Sequence, residues 1–372
     1  MRIEDPTGSY TKLKEDERIL VTADKNKGEL GTYKIISEGI DNDKDGKFNE
    51  DGEGGVIFNK NFSFNYPYFT LGAGEHAVSE KENRALLDFL YQQWNIFAIV
   101  TLGPENNLSK PLKFNSSGAR KRVVTSILKE DAALNKFLSE EYNKITKTKA
   151  APTSTGKGGS FFEWSYFHFG KLGLSTPGWW APKFKGDSIT KAAKNKDANF
   201  LQWANQEGIK DAFVPWTAVN HPDFPNQKVE VGGISPYIMY NPPFKMVEDI
   251  SKKHTDFIVE LTKMQPNVVL QNVKTESVGN GLTRVTVDVH NKGLLPTHTQ
   301  MGEKSRWLRK VKVAIGLNKN QELISGRKIT LVNSIDGDSS ILFTWLIKGK
   351  GSVSLEAGTS HTGIDKTIIT LK

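Results

Sequence analysis

The 372-residue sequence contains no cysteine. This absence excludes disulfide scaffolds, cysteine-ligated zinc, iron–sulfur clusters and thiol catalysis. Long apolar runs are also missing, so we expect no membrane span. The residues after Met1 lack the apolar core of a signal peptide, and none is expected in this chain. Only seven histidines remain for metal or base chemistry.

The first 266 residues lack a clear excess of either charge, because they hold 35 basic and 34 acidic side chains. Residues 267–372 hold 15 basic and 8 acidic side chains, so the net charge of +8 belongs almost wholly to the C-terminal third. Such a mild excess is typical of a solvated basic surface rather than a stripe that binds nucleic acid, and no nucleic-acid partner is predicted.

Seven basic residues cluster in this C-terminal third. They are Lys304, Arg306, Arg309, Lys310, Lys312, Arg327 and Lys328. One interpretation is an ordinary charged face of a sheet. The other is contact with an anionic partner, such as an envelope polysaccharide or an acidic domain.

Helices and one buried strand are predicted before residue 266. Ser79 and Glu82 have the spacing of a capping box, which predicts that a helix of about four turns begins there. The short apolar run at 96–102 is typical of a buried strand, and a helix followed by such a strand suggests an α/β sheet. Further helices are predicted at 119–146, 188–206 and 241–263.

Short alternating strands dominate the chain after Pro266. Val285, Val287 and Val289 alternate with polar residues in "TRVTVDVH", and the run at 310–317 repeats this alternation. Further strands are predicted at 341–347 and 367–371. The sequence therefore predicts an α/β domain, residues 1–265, followed by an all-β, Ig-like sandwich, residues 266–372.

The acidic, glycine-rich segment "DNDKDGKFNEDGEGG" begins at residue 41. Its alternate carboxylates can converge on one hard cation, and Gly46 permits the sharp bend that this requires. Gly52 stands where an EF-hand needs glutamate, so the segment is not an EF-hand. We predict that it binds Ca²⁺, with a solvated acidic turn as the alternative. The predicted ligands are Asp41, Asp43, Asp45, Asn49 and Asp51.

Three motifs follow this segment in order: "GGVIFNKNFSFNYP", "SEKENRALLDFL" and "GGSFFEWSYFHFGKLGLSTPGWW". Over about residues 31–180 they resemble the zinc carboxypeptidases of the M14 (carboxypeptidase A-like) family, in its bacterial, Bacteroidetes-type branch. That family has "GVDLNRNF", a "SEPETRAL"-like helix start and "DWAY…G…FTxEL". The resemblance implies a partial carboxypeptidase-like mixed sheet with flanking helices, which lacks the N-terminal third of the family's domain. It also implies a secreted or periplasmic full-length protein.

The family's zinc chemistry has no matching side chains in this sequence. Family members hold one zinc ion with two histidines and one glutamate, and a second glutamate activates the bound water. Here no histidine is followed three residues later by glutamate. Leu102 stands at the position of the third zinc ligand, and Pro177 stands at that of the general base. Zn²⁺ is therefore expected for the family, whereas this chain is predicted to have no zinc ligand and no catalytic residue.

Substrate-binding positions of the family are matched only in part. The Asn-Arg pair that binds the substrate's terminal carboxylate corresponds to Asn59 and Lys60. Lysine keeps the positive charge but loses the two-pronged geometry of arginine. Arg2 corresponds to another substrate-binding arginine. The resemblance thus implies that Asn59, Lys60 and Arg2 bind substrate.

Three functions agree with these observations. The first is an inactive carboxypeptidase-like protein, a pseudo-peptidase, that binds peptide or cell-envelope material. The second is a fragment of an active zinc metallocarboxypeptidase that releases C-terminal residues. The third is a calcium-stabilised structural or adhesive module. The residues at positions 102 and 177 favour the first function.

Overall fold

The computed structural model describes residues 1–46, 48, 55–154 and 158–372. The chain forms two compact units. The first contains Met1–Gly55 and Trp179–Ser251, and the second contains Val56–Gly178 and Lys252–Lys372. These units are not divided at residue 266, where the sequence predicts a domain boundary, because the β-rich C-terminal segment belongs to the same unit as residues 56–178. The domains 1–265 and 266–372 stay a prediction.

The described residues contain strands and helices in alternating groups. The strands are β1 (Arg2–Glu4), β2 (Tyr10–Leu13), β3 (Asp16–Thr22), β4 (Tyr33–Ile35), β5 (Ala98–Leu102), β6 (Leu172–Thr176), β7 (Phe213–Val219), β8 (Val229–Ile234), β9 (Val268–Gly279), β10 (Leu282–Asn291), β11 (Val311–Gly316), β12 (Glu322–Ser325), β13 (Ile329–Val332), β14 (Ser339–Lys348), β15 (Gly351–Thr359) and β16 (Gly363–Leu371). The helices are α1 (Lys81–Gln92), α2 (Ser116–Arg120), α3 (Lys129–Thr146), α4 (Phe161–Phe167), α5 (Lys196–Gln206), α6 (Pro236–Tyr240), α7 (Phe244–Met264) and α8 (Gln300–Ser305). Among these helices, none has the length and apolar character needed to cross a membrane.

The first unit is built on a six-stranded antiparallel sheet. Its strand order is β3-β2-β4-β1-β8-β7. Helix α5 contributes buried Phe200, Leu201 and Trp203 to a core that also includes Ile19 of β3. The helix predicted at 188–206 begins only at Lys196, because the Asp187 carboxylate accepts hydrogen bonds from the amides of Ile189 and Thr190 and holds a turn there.

The second unit begins with helices around a parallel pair of strands. Strands β5 and β6 pair in register from Ala98 opposite Leu172 to Leu102 opposite Thr176. Strand β6 is buried throughout, whereas β5 is half-buried and ends at an exposed Leu102, so the expectation of a buried strand at 96–102 is wrong for its final part. The described residues place two strands in this sheet, and a larger carboxypeptidase-like sheet stays a prediction.

The predicted capping box at Ser79 and Glu82 is wrong. Helix α1 begins at Lys81, and its N-cap residue Glu80 makes no side-chain capping bond. Ser79 instead donates to the Glu80 carboxylate at 2.7 Å and accepts from the Asn61 amide at 3.0 Å. Asn61 is fully buried, so its hydrogen-bonding needs outweigh the local capping pattern.

The helix predicted at 119–146 is also shorter than expected. Helix α3 begins at Lys129, residues 119 and 120 are the end of the short helix α2, and residues 121–128 are not helical. The hydroxyl of Tyr166 accepts a hydrogen bond from the Leu128 amide at 2.9 Å, and Ser126 accepts one from Asn115. These bonds from distant residues hold 121–128 in a non-helical path. The helix predicted at 241–263 corresponds to α7.

The strands after Pro266 are confirmed. They form two four-stranded antiparallel sheets, with orders β12-β14-β10-β9 and β13-β11-β15-β16. The alternating Val285, Val287 and Val289 are fully buried between the sheets, together with Val313 and Leu355 of the second sheet. The described chain is thus a mixture of helices and antiparallel sheets, and its β-rich C-terminal segment follows the period-two pattern of the sequence.

Candidate functional site

The two positions that the resemblance assigns to zinc binding and base catalysis lie at the same end of the β5–β6 pair. Leu102 is opposite Thr176, and Pro177 follows Thr176 directly. The Gly103 amide donates to the Thr176 carbonyl at 3.0 Å, which holds the two strand ends together beyond the last pair. The leucine side chain is 69% exposed, so this strand end presents an apolar surface.

This strand end does not fit a zinc ion. Leucine and proline side chains offer no ligand atom, and zinc in proteins is bound by nitrogen, sulfur and carboxylate oxygen. Among the described residues, metal-binding side chains gather in one group of three, Asp41, Asp43 and Asp45, which belongs to the other unit. We therefore derive no catalytic step through zinc.

A histidine that the sequence interpretation set aside lies beside Pro177. His254 of α7 contacts the Gly178 carbonyl through Nε2 at 2.8 Å, and its Nδ1 is 3.4 Å from the Tyr142 hydroxyl. The same hydroxyl is 3.3 Å from the Thr176 hydroxyl. Because Nε2 donates to a carbonyl, Nδ1 is left as an acceptor for Tyr142. Burial raises the pKa of Tyr142, which keeps its hydroxyl protonated as a donor.

Asn59 is hydrogen-bonded to Glu105, an acidic residue that the sequence interpretation did not single out, and Glu163 is a second one nearby. Its amide donates to the Glu105 carboxylate at 3.0 Å, and its carbonyl oxygen accepts from the Phe161 amide at 2.9 Å. Glu105 is 3% exposed and follows β5, whereas Glu163 is in the first turn of α4. Burial raises the pKa of the Glu163 carboxyl, and the nearby Glu105 carboxylate raises it further. The sequence pattern Ser160-x-x-Glu163 is that of a capping box and could have pointed to Glu163. In the structure the Ser160 hydroxyl accepts a hydrogen bond from the Glu163 amide at 3.2 Å.

The side chain of Lys60 has a different hydrogen-bond partner from that of its neighbour Asn59. Its ammonium group donates to the Leu71 carbonyl at 3.3 Å, at the surface of the unit. The pair predicted to bind substrate is therefore divided: the asparagine side chain is occupied in internal hydrogen bonds, and the lysine offers a cation held by one carbonyl. A single ammonium group can bind a carboxylate as a point charge.

Arg2 belongs to the first unit, whereas Asn59 and Lys60 belong to the second. Its Nε donates to Glu230 at 2.7 Å, and its guanidinium lies 4.5 Å from the centre of the Trp216 ring. Its Nη1 is buried and has no hydrogen-bond partner among the described residues. The guanidinium thus has an internal partner and one unused donor.

The aspartates of the predicted calcium segment converge. Carboxylate oxygens of Asp41, Asp43 and Asp45 lie within 4.8 Å of one another. The amides of Asp45 and Gly46 donate to Asp41 at 3.1 and 2.9 Å, and Gly46 has a φ of +87°, which fits the predicted bend. The other predicted ligands, Asn49 and Asp51, lie outside the described residues.

The segment is fastened to a second loop of the first unit. The Asp41 amide donates to the Asp223 carboxylate at 3.2 Å. His221 Nε2 donates to the Gly39 carbonyl at 2.9 Å, while its Nδ1 accepts from the Asp223 amide at 3.2 Å. The Phe48 and Phe224 rings stack with centres 5.4 Å apart. A fourth carboxylate, which the sequence interpretation missed, therefore contacts the backbone of the acidic segment.

A family model described as "Domain of unknown function (DUF8731)" matches residues 267–370, which is the β-rich C-terminal segment. No curated protein matches the chain.

Comparison with solved structures finds short, distant similarities. The β-glucosidase DesR from Streptomyces venezuelae is 16% identical, over 29% of this chain and 15% of its own, with a TM-score of 0.17. A CARDB domain from Pyrococcus furiosus is 14% identical, over 28% and 93%, with a TM-score of 0.17. The GAE domain of GGA2p from Saccharomyces cerevisiae is 11% identical, over 29% and 96%, with a TM-score of 0.16. The match spans less than a sixth of the glucosidase, and such low scores support no functional argument.

Proposed function

We propose that the protein is a carboxypeptidase-like pseudo-peptidase that binds peptide or cell-envelope material without cleaving it. One observation carries this proposal. Leu102 and Pro177, at the positions of a zinc ligand and the general base, lie at one end of a single parallel strand pair. Neither side chain can bind zinc or accept a proton, so the family's chemistry has no residues to perform it there.

The finer fold assignments belong to the same proposal. The parallel pairing of β5 and β6, with helices α2, α3 and α4 between them in the chain, supports a partial carboxypeptidase-like domain. The two facing sheets around Val287 support an Ig-like sandwich. A secreted or periplasmic location of the full-length protein rests on the resemblance alone.

The site offers binding groups in place of catalytic ones. The exposed Leu102 presents an apolar contact, and Lys60 supplies a positive charge for a terminal carboxylate. Asn59 is hydrogen-bonded to Glu105, which lies three residues beyond the end of β5 and adds a polar pair near this strand end. An apolar contact together with a positive charge and a polar pair suits the C-terminal end of a peptide better than a surface without these groups.

Metal content and hydrolysis test the loss of catalysis. The full chain is equilibrated with excess zinc, freed of unbound metal and assayed by elemental analysis and with substrates that lose a C-terminal residue. We expect far less than one zinc per chain and no residue released. One zinc per chain together with turnover would overturn the proposal.

Peptide affinity tests the binding half of the proposal. Fluorescently labelled peptides with free or amidated C-termini are titrated with wild type and with Lys60→Gln. Loss of one charge partner is expected to weaken binding of the free-carboxylate peptide about threefold to tenfold and to leave the amidated peptide unchanged. Lys136→Gln, on the exposed surface of α3, is the matched control. Equal effects of the two variants would contradict the assigned site.

A calcium-stabilised module is the second candidate function, and a separate observation favours it. The carboxylates of Asp41, Asp43 and Asp45 converge within 4.8 Å, which suits a hard cation with oxygen ligands. The proposed role of Ca²⁺ is to stabilise the first unit, and calcium-dependent melting tests it.

A further inference from the structure

A polar pocket of about 540 Å³ lies beside α8 in the second unit. Its charged lining residues are Lys304, Arg306, Lys310 and Glu303. Three cations therefore face one carboxylate. The amides of Gln300 and Asn333 also line the pocket and supply neutral hydrogen-bonding groups. Its volume lies within the range of pockets that hold small ligands.

The three cations of this pocket differ from three basic residues of the β-rich segment that are held in ion pairs. Lys312 and Lys366 both pair with Glu356 at 3.0 Å, and Arg284 pairs with Glu276 at 2.7 Å. In the part of the chain that the structure describes, Lys304, Arg306 and Lys310 have no carboxylate oxygen within 4.0 Å. Unpaired cations that line one cavity are free to bind an anion from solution.

The segment that carries these cations is held in place from both sides. The Thr299 hydroxyl accepts from the Gly302 amide and donates to the Gly170 carbonyl, each at 2.9 Å. The buried Asp131 carboxylate accepts from the amides of Gln300 and Met301 at 2.8 and 2.9 Å. Arg306 ends the helix with φ of +62° and donates its amide to the Gly302 carbonyl. A ligand would therefore meet a largely preformed site, which reduces the entropic cost of binding.

An aromatic surface adjoins the pocket in the chain. Trp307 follows Arg306 and is 38% exposed. Its ring stacks on Trp94 with centres 5.3 Å apart, and it meets the Tyr91 ring at nearly a right angle with centres 4.9 Å apart. The indole is thus fixed with part of its surface open to solvent. A flat aromatic ring packed in this way, next in the chain to a residue of the pocket, offers an apolar surface that suits a sugar ring.

We propose that this pocket binds an acidic sugar unit of a polysaccharide through its carboxylate or sulfate group. The guanidinium of Arg306 offers paired donors to the anionic group, and the two lysines add point charges. The three cations line a single cavity, which favours one anionic sugar over the regularly spaced phosphates of a nucleic acid. This site is independent of the proposed peptide-binding site at the strand end.

Binding by the full chain tests the proposal. The probes are polygalacturonate for the carboxylate source and dextran sulfate for the sulfate source, with uncharged dextran as the negative control. Calorimetric titration of wild type is compared with the double variant Lys304→Gln, Lys310→Gln. We expect the double variant to lose about tenfold or more in affinity for at least one acidic probe, because two charged contacts are removed. Whichever probe binds more tightly identifies the source.

Two controls make the result specific. The variant Arg284→Gln, Lys366→Gln removes the same charge from paired positions of the same segment and is expected to bind within about twofold of wild type. Arg306→Asn removes the guanidinium and is expected to weaken binding as well. Asparagine is chosen because it tolerates the positive φ of this position. The proposal is overturned if wild type binds neither acidic probe, if both double variants weaken equally, or if oligodeoxythymidine or polyglutamate binds more tightly than the sugars.

Discussion

Tyr166 of α4 donates a hydrogen bond of 2.6 Å to the carboxylate of Asp131 in α3. The same carboxylate accepts from the backbone amides of Gln300 and Met301 at the start of α8. Burial raises the pKa of Asp131, and these three donors act against that rise. One carboxylate therefore links helices α3 and α4 to the β-rich segment within a single unit.

Loss of this carboxylate is expected to destabilise the second unit. Asp131→Ala leaves the buried Tyr166 hydroxyl, the buried Met301 amide and the partly buried Gln300 amide without an acceptor, which costs about 2–5 kcal/mol of unfolding free energy. Urea unfolding followed by circular dichroism measures the change. Glu130→Ala removes the neighbouring exposed carboxylate and is expected to change stability by less than about 0.5 kcal/mol. Similar losses for the two variants would show that Asp131 does not have this linking role.

Stability is expected to fall in mild acid because of two buried histidines. Burial lowers the pKa of both His298 and His361 to about 4, and the nearby Lys171 adds to the effect. Since the folded pKa lies below the unfolded value of about 6.5, the stabilising contribution is complete above pH 6.5 and is lost as the pH falls toward 4. Each histidine costs at most about 1.4 kcal/mol per pH unit across that window.

The buried carboxyl of Glu163 changes stability with pH in the opposite direction to the two histidines. The pKa of Glu163 is raised by burial, so its contribution to stability is complete below its unfolded pKa and is lost as the pH rises. A comparison of wild type with His298→Gln, His361→Gln isolates the histidines. We expect the difference in unfolding free energy between the two proteins to shift by about 1–3 kcal/mol between pH 7 and pH 5. Parallel pH profiles would contradict the assignment.

A steric prediction concerns the glycine that adjoins the Asn59–Lys60 segment. Gly159 has φ of +69°, and a Cβ placed there would meet the Lys60 carbonyl oxygen at 2.2 Å. Gly208 has the same φ, but a Cβ added to it would have no atom within 4 Å. Gly208→Ala is therefore expected to cost about 1–2 kcal/mol from backbone strain alone, and Gly159→Ala at least about 2 kcal/mol more. Equal melting temperatures of the two variants would rule out the close approach.

Calcium is expected to raise the melting temperature of the first unit. A cation that binds only the folded state stabilises it by about 2.7 kcal/mol at a hundred times its dissociation constant. Asp43→Ala, which removes one of the three converging carboxylates, should abolish most of this shift. Glu38→Ala removes an exposed carboxylate outside the group and should retain it. No shift with millimolar Ca²⁺ in wild type would exclude the site.

Local patterns predicted the β-rich segment well. Val285, Val287 and Val289 alternate with polar residues, and the structure buries all three between two sheets. Alternation has this predictive strength because neighbouring strand residues point to opposite faces. The convergence of Asp41, Asp43 and Asp45 also followed from their spacing within one turn.

Helix starts and the strand-end environment could not be predicted in the same way. Asn61 binds Ser79 and removes the expected cap of α1, although 18 residues separate the two. His254 approaches the end of the β5–β6 pair from helix α7. Glu105 and Asn59, which form a hydrogen bond, are 46 residues apart in the chain. Long-range hydrogen bonds of buried groups leave no local signal, because their partners are chosen by the fold.

The absence of cysteine, the acidic segment and the period-two strands were determined by the sequence alone, since each depends on residue type or on neighbours within a few positions. The sequence also showed that Leu102 and Pro177 cannot bind zinc or act as a base. Tertiary structure decided that these two residues lie at one strand end and that Lys304, Arg306 and Lys310 line one cavity, with no carboxylate oxygen of the described residues within 4.0 Å of them. The physical reason is that pairing and burial depend on distances between residues far apart in the chain, which only the folded backbone fixes.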